Sequence, residues 1–175
     1  MGNEYKDWER DKIEEEKEIV KQYPFLQVRD INGNIDTTAK FPLMYLEIPD
    51  GWYVLFYQMC DQVKLILEEK GLLNEFYFIQ VKEKYNKLVC YSNMVVDEIE
   101  DIIYDYSLIA SNSCVICGEP AVYKTTDYIA TYCDKCLGKI KTIDKIVPIE
   151  FTDTLETVRY ISKDWERYKK SLQKQ

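Results

Sequence analysis

Apolar residues recur at three- and four-residue steps in three segments of the chain, and this spacing predicts three amphipathic helices. The first covers residues 4–22 and carries only a thin apolar stripe among many charges. The second covers 50–70, with Asp50 as its expected N-cap and Gly71 at the C-terminal stop position. The third covers 95–110, where acidic side chains opposite an apolar stripe are interpreted as the solvated face.

The second predicted helix is the main core candidate because its apolar stripe is the longest in the chain. The stripe consists of Trp52, Leu55, Phe56, Met59, Cys60, Val63, Ile66 and Leu67. Since Cys60 occupies a stripe position, we interpret it as a small buried hydrophobe and not as a nucleophile.

Runs rich in β-branched and aromatic residues predict strands elsewhere. Residues 75–91 resemble a hairpin with its turn at 83–86, and Cys90 falls on the return strand, where packing is its expected role. Residues 23–51 are expected to be extended and irregular, with a tight turn at Asn32-Gly33. A last helix is expected over 152–172.

These elements predict an α+β fold, with helices packed on a small antiparallel hairpin or sheet and a four-cysteine zinc-binding β-hairpin near the C-terminus. We expect an α+β body over 1–112 and a zinc-ribbon-like knuckle over 113–147, called the knuckle below. A C-terminal helix over 148–175 is expected to pack back on the body. The length of 175 residues suits one domain with a small appendage.

The amino-acid composition excludes several kinds of reaction and partner, although it says little about the fold. The chain holds no histidine, which removes histidine-based triads, Cys-His pairs and His-ligated catalytic zinc. Its formal charge of −8 argues against a broadly basic surface that tracks phosphates. No segment has the apolar length of a membrane span and the N-terminus lacks a signal-peptide core, so we expect a cytoplasmic protein with no membrane partner.

Four cysteines form the clearest chemical pattern, C-x2-C-x15-C-x2-C. They are Cys114, Cys117, Cys133 and Cys136. A two-residue gap lets one tight turn present both thiolates of a pair, and four thiolates can surround one zinc ion as a tetrahedron. Residues 121–132 read as two short strands that return the second pair to the first, and Gly118 is expected to have a positive φ.

The same cysteines admit other chemistry, namely two disulfides, a redox CxxC pair or an iron–sulfur cluster. Disulfides are typical of secreted chains, and a thioredoxin-like pair belongs to a βαβ unit and not to a β-hairpin. Zinc is therefore the favoured ion. Because four protein ligands leave no place for an activated water, its role is expected to be structural.

Several motifs stand in an order known from one family. They are YPFL at 23–26, IPDGW at 48–52 with a following helix that carries QMC, QVKEKYNKLVCY at 80–91, and the cysteine segments CVICGEPA and YCDKC. Over residues 23–139 this arrangement resembles a family of small uncharacterised proteins from tailed phages and prophages. There the middle motif often reads KEKYG, and here Asn86 stands in the glycine position. The resemblance implies an accessory phage protein that acts in the cytoplasm of an infected bacterium.

The favoured function is a non-enzymatic protein that binds and modulates a host protein or a defence component. It is supported by the missing catalytic constellations and the structural zinc. Fifteen tyrosines add to this, because tyrosine is enriched in binding surfaces.

Two alternatives stay open. A nucleic-acid-binding module is suggested by a lysine cluster just after the cysteines, although nearby acids nearly cancel its charge. The cluster consists of Lys135, Lys139, Lys141 and Lys145. A small-molecule or nucleotide binder, or an enzyme, would use the polar and aromatic group at the predicted hairpin turn. Its members are Lys82, Glu83, Lys84 and Tyr85, of which Lys82, Lys84 and Tyr85 are the expected contacts to a ligand or partner.

Overall fold

The computed structural model describes residues 2–140 and 146–149, with side chains from residue 7 onward. That part of the chain contains four α-helices: α1 (Gly2–Gln22), α2 (Tyr53–Lys70), α3 (Asp97–Ser111) and α4 (Asp134–Leu137). It contains six strands: β1 (Leu46–Glu47), β2 (Phe78–Glu83), β3 (Leu88–Ser92), β4 (Tyr123–Thr125), β5 (Thr131–Tyr132) and β6 (Ile146–Pro148). Two 3₁₀ helices cover Pro24–Leu26 and Asp50–Trp52.

The strands form two small sheets beside the helices, which confirms the α+β class. In the first sheet the order is β1–β2–β3, and β1 runs parallel to β2 with Leu46 opposite Val81. In the second sheet the order is β5–β4–β6, and both pairs are antiparallel. The hairpin predicted over residues 75–91 corresponds to β2 and β3, whereas the parallel pairing of β1 with β2 was not predicted. A two-residue strand carries too little pattern for its partner to be predicted.

The three helices predicted from apolar spacing are all present. Gly71 follows α2 with a φ of +69°, as expected of a glycine at a helix stop. The prediction that Asp50 caps this helix is wrong. Asp50 opens the 3₁₀ helix after Pro49, no side chain caps that helix, and α2 begins only at Tyr53.

The chain forms two compact units that alternate along the sequence. Of the described residues, the first unit comprises 2–47, 59–82 and 90–102, and the second comprises 48–58, 83–89, 103–140 and 146–149. Helices α2 and α3 and strands β2 and β3 therefore contribute residues to both. The predicted division into a body, a knuckle and a C-terminal helix remains a prediction, and the helix expected over 152–172 lies outside the described residues.

Aromatic side chains form the interior of the first unit. Phe25, Phe76 and Phe78 are buried, and their ring centroids lie 5.3, 5.8 and 6.3 Å apart in edge-to-face pairs. This geometry is favourable because the positive edge of one ring meets the negative face of another. Tyr23 extends the cluster, and its hydroxyl donates to Asp61 Oδ1 at 2.6 Å.

The second unit buries apolar residues from several elements. Trp52 and Phe56, around the start of α2, are fully enclosed, and so is Leu88 on β3. Ile109 and Ala110 add the last turn of α3. No helix in the described part of the chain has the length and apolar character needed to cross a membrane.

Candidate metal centre

The four predicted ligands meet at one point in the second unit. The Sγ atoms of Cys114, Cys117, Cys133 and Cys136 all lie within 4.8 Å of one another. Three of these cysteines are buried and Cys117 is exposed, so the cluster lies just below the surface. Among the described residues no other group of cysteine, aspartate or glutamate side chains is arranged to hold a metal ion.

The sulfur spacing fits one tetrahedral ion. Cys117 Sγ lies 3.7 Å from Cys133 Sγ. Four sulfurs about 2.3 Å from a central ion stand about 3.8 Å apart, because that is the edge of such a tetrahedron. A disulfide brings its sulfurs to about 2.05 Å, and an iron–sulfur cluster needs room for several irons and sulfides between the thiolates. The arrangement therefore matches a single ion held by four thiolates.

The first CxxC pair lies in a tight loop closed by backbone hydrogen bonds. Cys114 donates its N–H to Glu119 O at 2.7 Å, and Gly118 donates its N–H to Cys114 O at 2.8 Å. Gly118 has a φ of +76°, so the positive φ predicted for it is confirmed. Glycine adopts this conformation without the steric penalty that a Cβ brings.

The second pair lies at the start of α4. Cys133 is the residue before this helix, its carbonyl accepts the N–H of Leu137 at 3.0 Å, and Cys136 lies within the helix. Strands β4 and β5 form the predicted hairpin, and Val115 donates its N–H to Thr131 O at 2.9 Å. The hairpin thus returns the second pair to the first.

The protein environment separates the pKa values of the thiols. Burial alone would raise the pKa of Cys114, but the backbone N–H groups of Cys133, Cys117 and Ile116 donate to its sulfur and together lower that pKa. The hydrogen bond with the Cys117 sulfur, followed by burial, raises the pKa of Cys136 to about 12. A divalent cation among these sulfurs would favour the thiolate form of all four, because it supplies the missing positive charge.

Gly51, in the IPDGW motif, lies directly against the first cysteine loop. Its N–H donates to Val115 O at 3.0 Å. A Cβ at this position would stand 2.6 Å from Gly118 N and 2.9 Å from Cys117 N, closer than real Cβ atoms approach. The contact is reciprocal, since a Cβ on Gly118 would meet Gly51 O. This role of Gly51 was not predicted. A glycine within the IPDGW motif was the one feature of the sequence that could have indicated a close backbone contact.

Asn86 ties the turn between β2 and β3 to the residues around the first cysteine. Tyr85 and Asn86 have φ values of +53° and +60°, as a two-residue type I′ turn requires. The buried Asn86 side chain donates to Ser111 O at 2.9 Å, and its Oδ1 lies 3.3 Å from Thr131 Oγ1. Thr131 donates this hydroxyl to Ser113 O at 2.7 Å. Asn86 therefore adopts a backbone conformation that glycine favours and adds a buried polar link.

The polar and aromatic group predicted at the hairpin turn is divided between the units. Lys84 and Tyr85 belong to the second unit and are exposed, with Lys84 Nζ 5.9 Å from the Tyr85 ring centre. Lys82 belongs to the first unit, where its Nζ lies 5.4 Å from the Tyr91 ring centre. Glu83, the fourth member of the group, lines the cavity of the second unit described below, whereas Lys82, Lys84 and Tyr85 line neither cavity. Their role in ligand or partner contact stays a prediction.

The other two cysteines belong to the first unit. Burial raises the pKa of Cys60 well above its ordinary value and raises that of Cys90 to about 12. Both are therefore neutral thiols near neutral pH, and a neutral thiol is a weak nucleophile. This agrees with the packing role predicted for them.

Each unit has a surface cavity. In the first unit it measures about 620 Å³ and is lined by charges of both signs, Arg29 with Asp30 and Glu47. The Arg29 guanidinium lies 4.3 Å from the Tyr77 ring centre. The cavity of the second unit measures about 350 Å³ and lies beside the first cysteine loop.

No protein-family model, no curated protein and no solved structure matches this chain. Similarity to known proteins therefore assigns it neither a family nor an activity. What bears on its function is the geometry of the four cysteines and of the residues packed around them.

Proposed function

We propose that this protein is a non-enzymatic, phage-type binding protein that acts in the bacterial cytoplasm, where it binds and modulates a host protein or defence component. One structural zinc ion would hold the knuckle. The observation that carries the proposal is the closed cluster of four Sγ atoms within 4.8 Å of one another. Four protein ligands fill the coordination sphere and leave no open position for substrate or water. Such an ion stabilises structure and performs no reaction.

Zinc suits the donors because all four are sulfur, and tetrahedral coordination by four cysteines is common for structural zinc. Iron can adopt the same geometry, so elemental analysis separates the two metals. Protein purified under reducing conditions should hold one zinc per chain and be colourless. Cys114→Ser or Cys136→Ser should lose the ion, and pure reduced protein without zinc would contradict the proposal.

Exposed apolar side chains of the second unit support a protein partner. Tyr85 and Tyr128 are 77 % and 72 % exposed, and Ile116 and Ile129 are 47 % and 41 % exposed. Aromatic and branched side chains of this kind contribute to protein contacts, because covering them removes apolar surface from water. Two of them, Tyr128 and Ile129, lie on the hairpin that carries the second cysteine pair.

Affinity purification from a bacterial lysate with mass spectrometry tests for the partner. Zinc-loaded wild-type bait should retain a specific protein, and bait with Tyr128→Ser and Ile129→Ser should lose that protein while keeping its zinc. Bait with Ile79→Ser, which changes an exposed residue of the first unit, should still retain it. Wild-type bait that retains nothing, or that retains proteins only until nuclease is added, would contradict the proposal.

A further inference from the structure

The cavity of about 350 Å³ in the second unit is walled by three segments that are distant in sequence. They are the IPDGW motif, the turn between β2 and β3, and the cysteine loop with its hairpin. Two charged side chains line the cavity, Asp50 and Glu83, and both are acidic. This sets it apart from the cavity of the first unit, whose mixed charges favour neither sign of ligand.

The Glu83 carboxylate is held in place. It is partly buried, its Oε1 accepts the N–H of Asn86 at 2.6 Å, and its Oε2 accepts the Tyr128 hydroxyl at 2.9 Å. A carboxylate has about four acceptor positions, so these two bonds leave capacity for further donors. No lysine or arginine of the described chain forms a salt bridge with Glu83 or Asp50. The negative charge of the cavity therefore lacks a counterion within the described residues.

Apart from Asn86, the rest of the wall is apolar or aromatic. Val115 and Ile129 supply aliphatic surface, and Tyr128 and Tyr132 supply rings. A ligand that covers Tyr128 and Ile129 removes exposed apolar surface from water. The fixed Glu83 carboxylate and the second acid, Asp50, beside aromatic rings and aliphatic walls suit a cation carried on an aliphatic stem.

We infer that this cavity accepts an arginine side chain presented by the protein partner, an inference that rests on the proposed function. A guanidinium is planar and has five donors, so it can stack on a tyrosine ring while it donates to carboxylates. A lysine ammonium meets the charge but cannot stack in this way. An anionic ligand would be repelled by both carboxylates.

The metal cluster forms part of the same wall. Val115 lies between the first two cysteines, donates its N–H to Thr131 O and accepts the N–H of Gly51. Tyr132 packs against the buried cysteines. Loss of the ion should therefore deform the cavity and abolish arginine binding.

NMR titration of the zinc-loaded full chain with N-acetylarginine methylamide tests the inference. Saturable shifts are expected at the amides of Glu83, Asn86 and Tyr132. The citrulline analogue has nearly the same shape and no charge, and it should bind at least about tenfold more weakly because charge-assisted hydrogen bonds are lost. The lysine analogue should also bind more weakly than arginine.

Two variants make the test specific. Glu83→Gln and Asp50→Asn should each weaken arginine binding by about five- to tenfold. Asp50 is exposed, so its variant keeps the test valid even if Glu83→Gln disturbs the turn. Asp105→Asn removes the same charge from an exposed position on α3 outside the cavity and should leave binding unchanged.

Equal binding of the citrulline analogue, tighter binding of the lysine analogue, or unchanged binding in both cavity variants would overturn the inference. The proposed function is judged separately by the affinity purification. If the bait retains a partner and the Tyr128 and Ile129 variant loses it, the function stands even when the arginine probe does not bind.

Discussion

The aromatic interior of the first unit and the cysteine cluster of the knuckle are buried in very different ways. In the first unit, the rings of Phe25, Phe76 and Phe78 pack edge to face, and the removal of their apolar surface from water stabilises them. In the knuckle, three cysteines are buried with Tyr132 packed against them. Thiolates in such a group repel one another, and so small an apolar cluster buries little surface. Hydrophobic burial can therefore stabilise the first unit without help, whereas the cysteine cluster would gain its stability from the proposed ion.

The largest effect should come from removing the metal. Chelation of zinc from reduced protein should raise hydrogen–deuterium exchange over 113–138, because structural zinc in small sites of this kind binds with about 10 to 16 kcal/mol. Amides around Phe25 and Phe76 should keep their protection. Exchange followed by mass spectrometry checks both regions, and an equal loss of protection in both would contradict the comparison.

The substitution Phe76→Ala tests the first unit and leaves the cysteine cluster unchanged. It should lower the free energy of unfolding by about 3 to 5 kcal/mol, since a large buried ring leaves a cavity. The zinc content should stay at one ion per chain. Urea unfolding measures the loss, with Ile79→Ala, a residue 61 % exposed, as the matched control. The control should change the free energy by less than about 0.5 kcal/mol, and equal losses in both variants would refute the role of the ring cluster.

Gly51→Ala should weaken zinc binding although Gly51 is not a ligand. The added Cβ meets backbone atoms of the cysteine loop, which cannot rotate away, and the expected loss is about 1 to 3 kcal/mol. Gly138→Ala is the matched control, because Gly138 has a φ of −61° and its Cβ would lie 3.6 Å from Asp134 O, an ordinary contact. Competition with a chromophoric chelator compares the two. If Gly51→Ala bound zinc with wild-type affinity, the close contact between Gly51 and the cysteine loop would not contribute to zinc binding.

Asn86→Gly tests the buried link without disturbing the turn. Glycine keeps the positive φ but leaves Ser111 O without its side-chain donor, which should lower the free energy of unfolding by about 1 to 2 kcal/mol. Asn86→Ala should lose roughly a further 1 kcal/mol because alanine disfavours this conformation. Urea unfolding ranks the three proteins. Identical stability of Asn86→Gly and wild type would mean that the hydrogen bond to Ser111 contributes nothing.

The smallest effect concerns the thiols of the first unit. The folded pKa of Cys90 is about 12, whereas an unfolded thiol titrates near about 8.5. The folded state thus retains a proton that the unfolded state releases, so the stability that Cys90 contributes is complete below about pH 8.5 and falls as the pH rises toward 12. Cys90→Ala should remove part of this alkaline decline, as measured by unfolding at a series of pH values.

Iodoacetamide should leave Cys60 and Cys90 unlabelled at neutral pH, and rapid labelling of Cys90 would contradict its raised pKa.

Local patterns predicted α2 and the cysteine cluster correctly because each depends on neighbours along the chain. The stripe of α2 repeats over several turns, so a single misplaced residue such as the partly exposed Ile66 does not hide it. The CxxC pairs need only a two-residue turn, and the positive φ of Gly118 follows from the same local geometry.

Local sequence patterns did not predict the roles of Asp50 and Asn86. Asp50 satisfies the N-cap pattern, yet the backbone beside it is bonded to the cysteine loop through Gly51 and a 3₁₀ helix precedes α2. Asn86 looked like a departure from a glycine turn. Its bonds reach Ser111 and Thr131, 25 and 45 residues away, and no local pattern encodes partners at that distance.

Patterns along the chain predicted three amphipathic helices, the two hairpins and the four cysteines that form one cluster, and the absence of histidine excluded histidine chemistry. Three features became visible only in the folded chain: β1 pairs in parallel with β2, Gly51 lies against the cysteine loop, and two carboxylates share one cavity with tyrosines. The reason is physical. Periodicity and short spacings are imposed by neighbouring residues, whereas contacts between distant segments are selected by the packing of the folded chain as a whole.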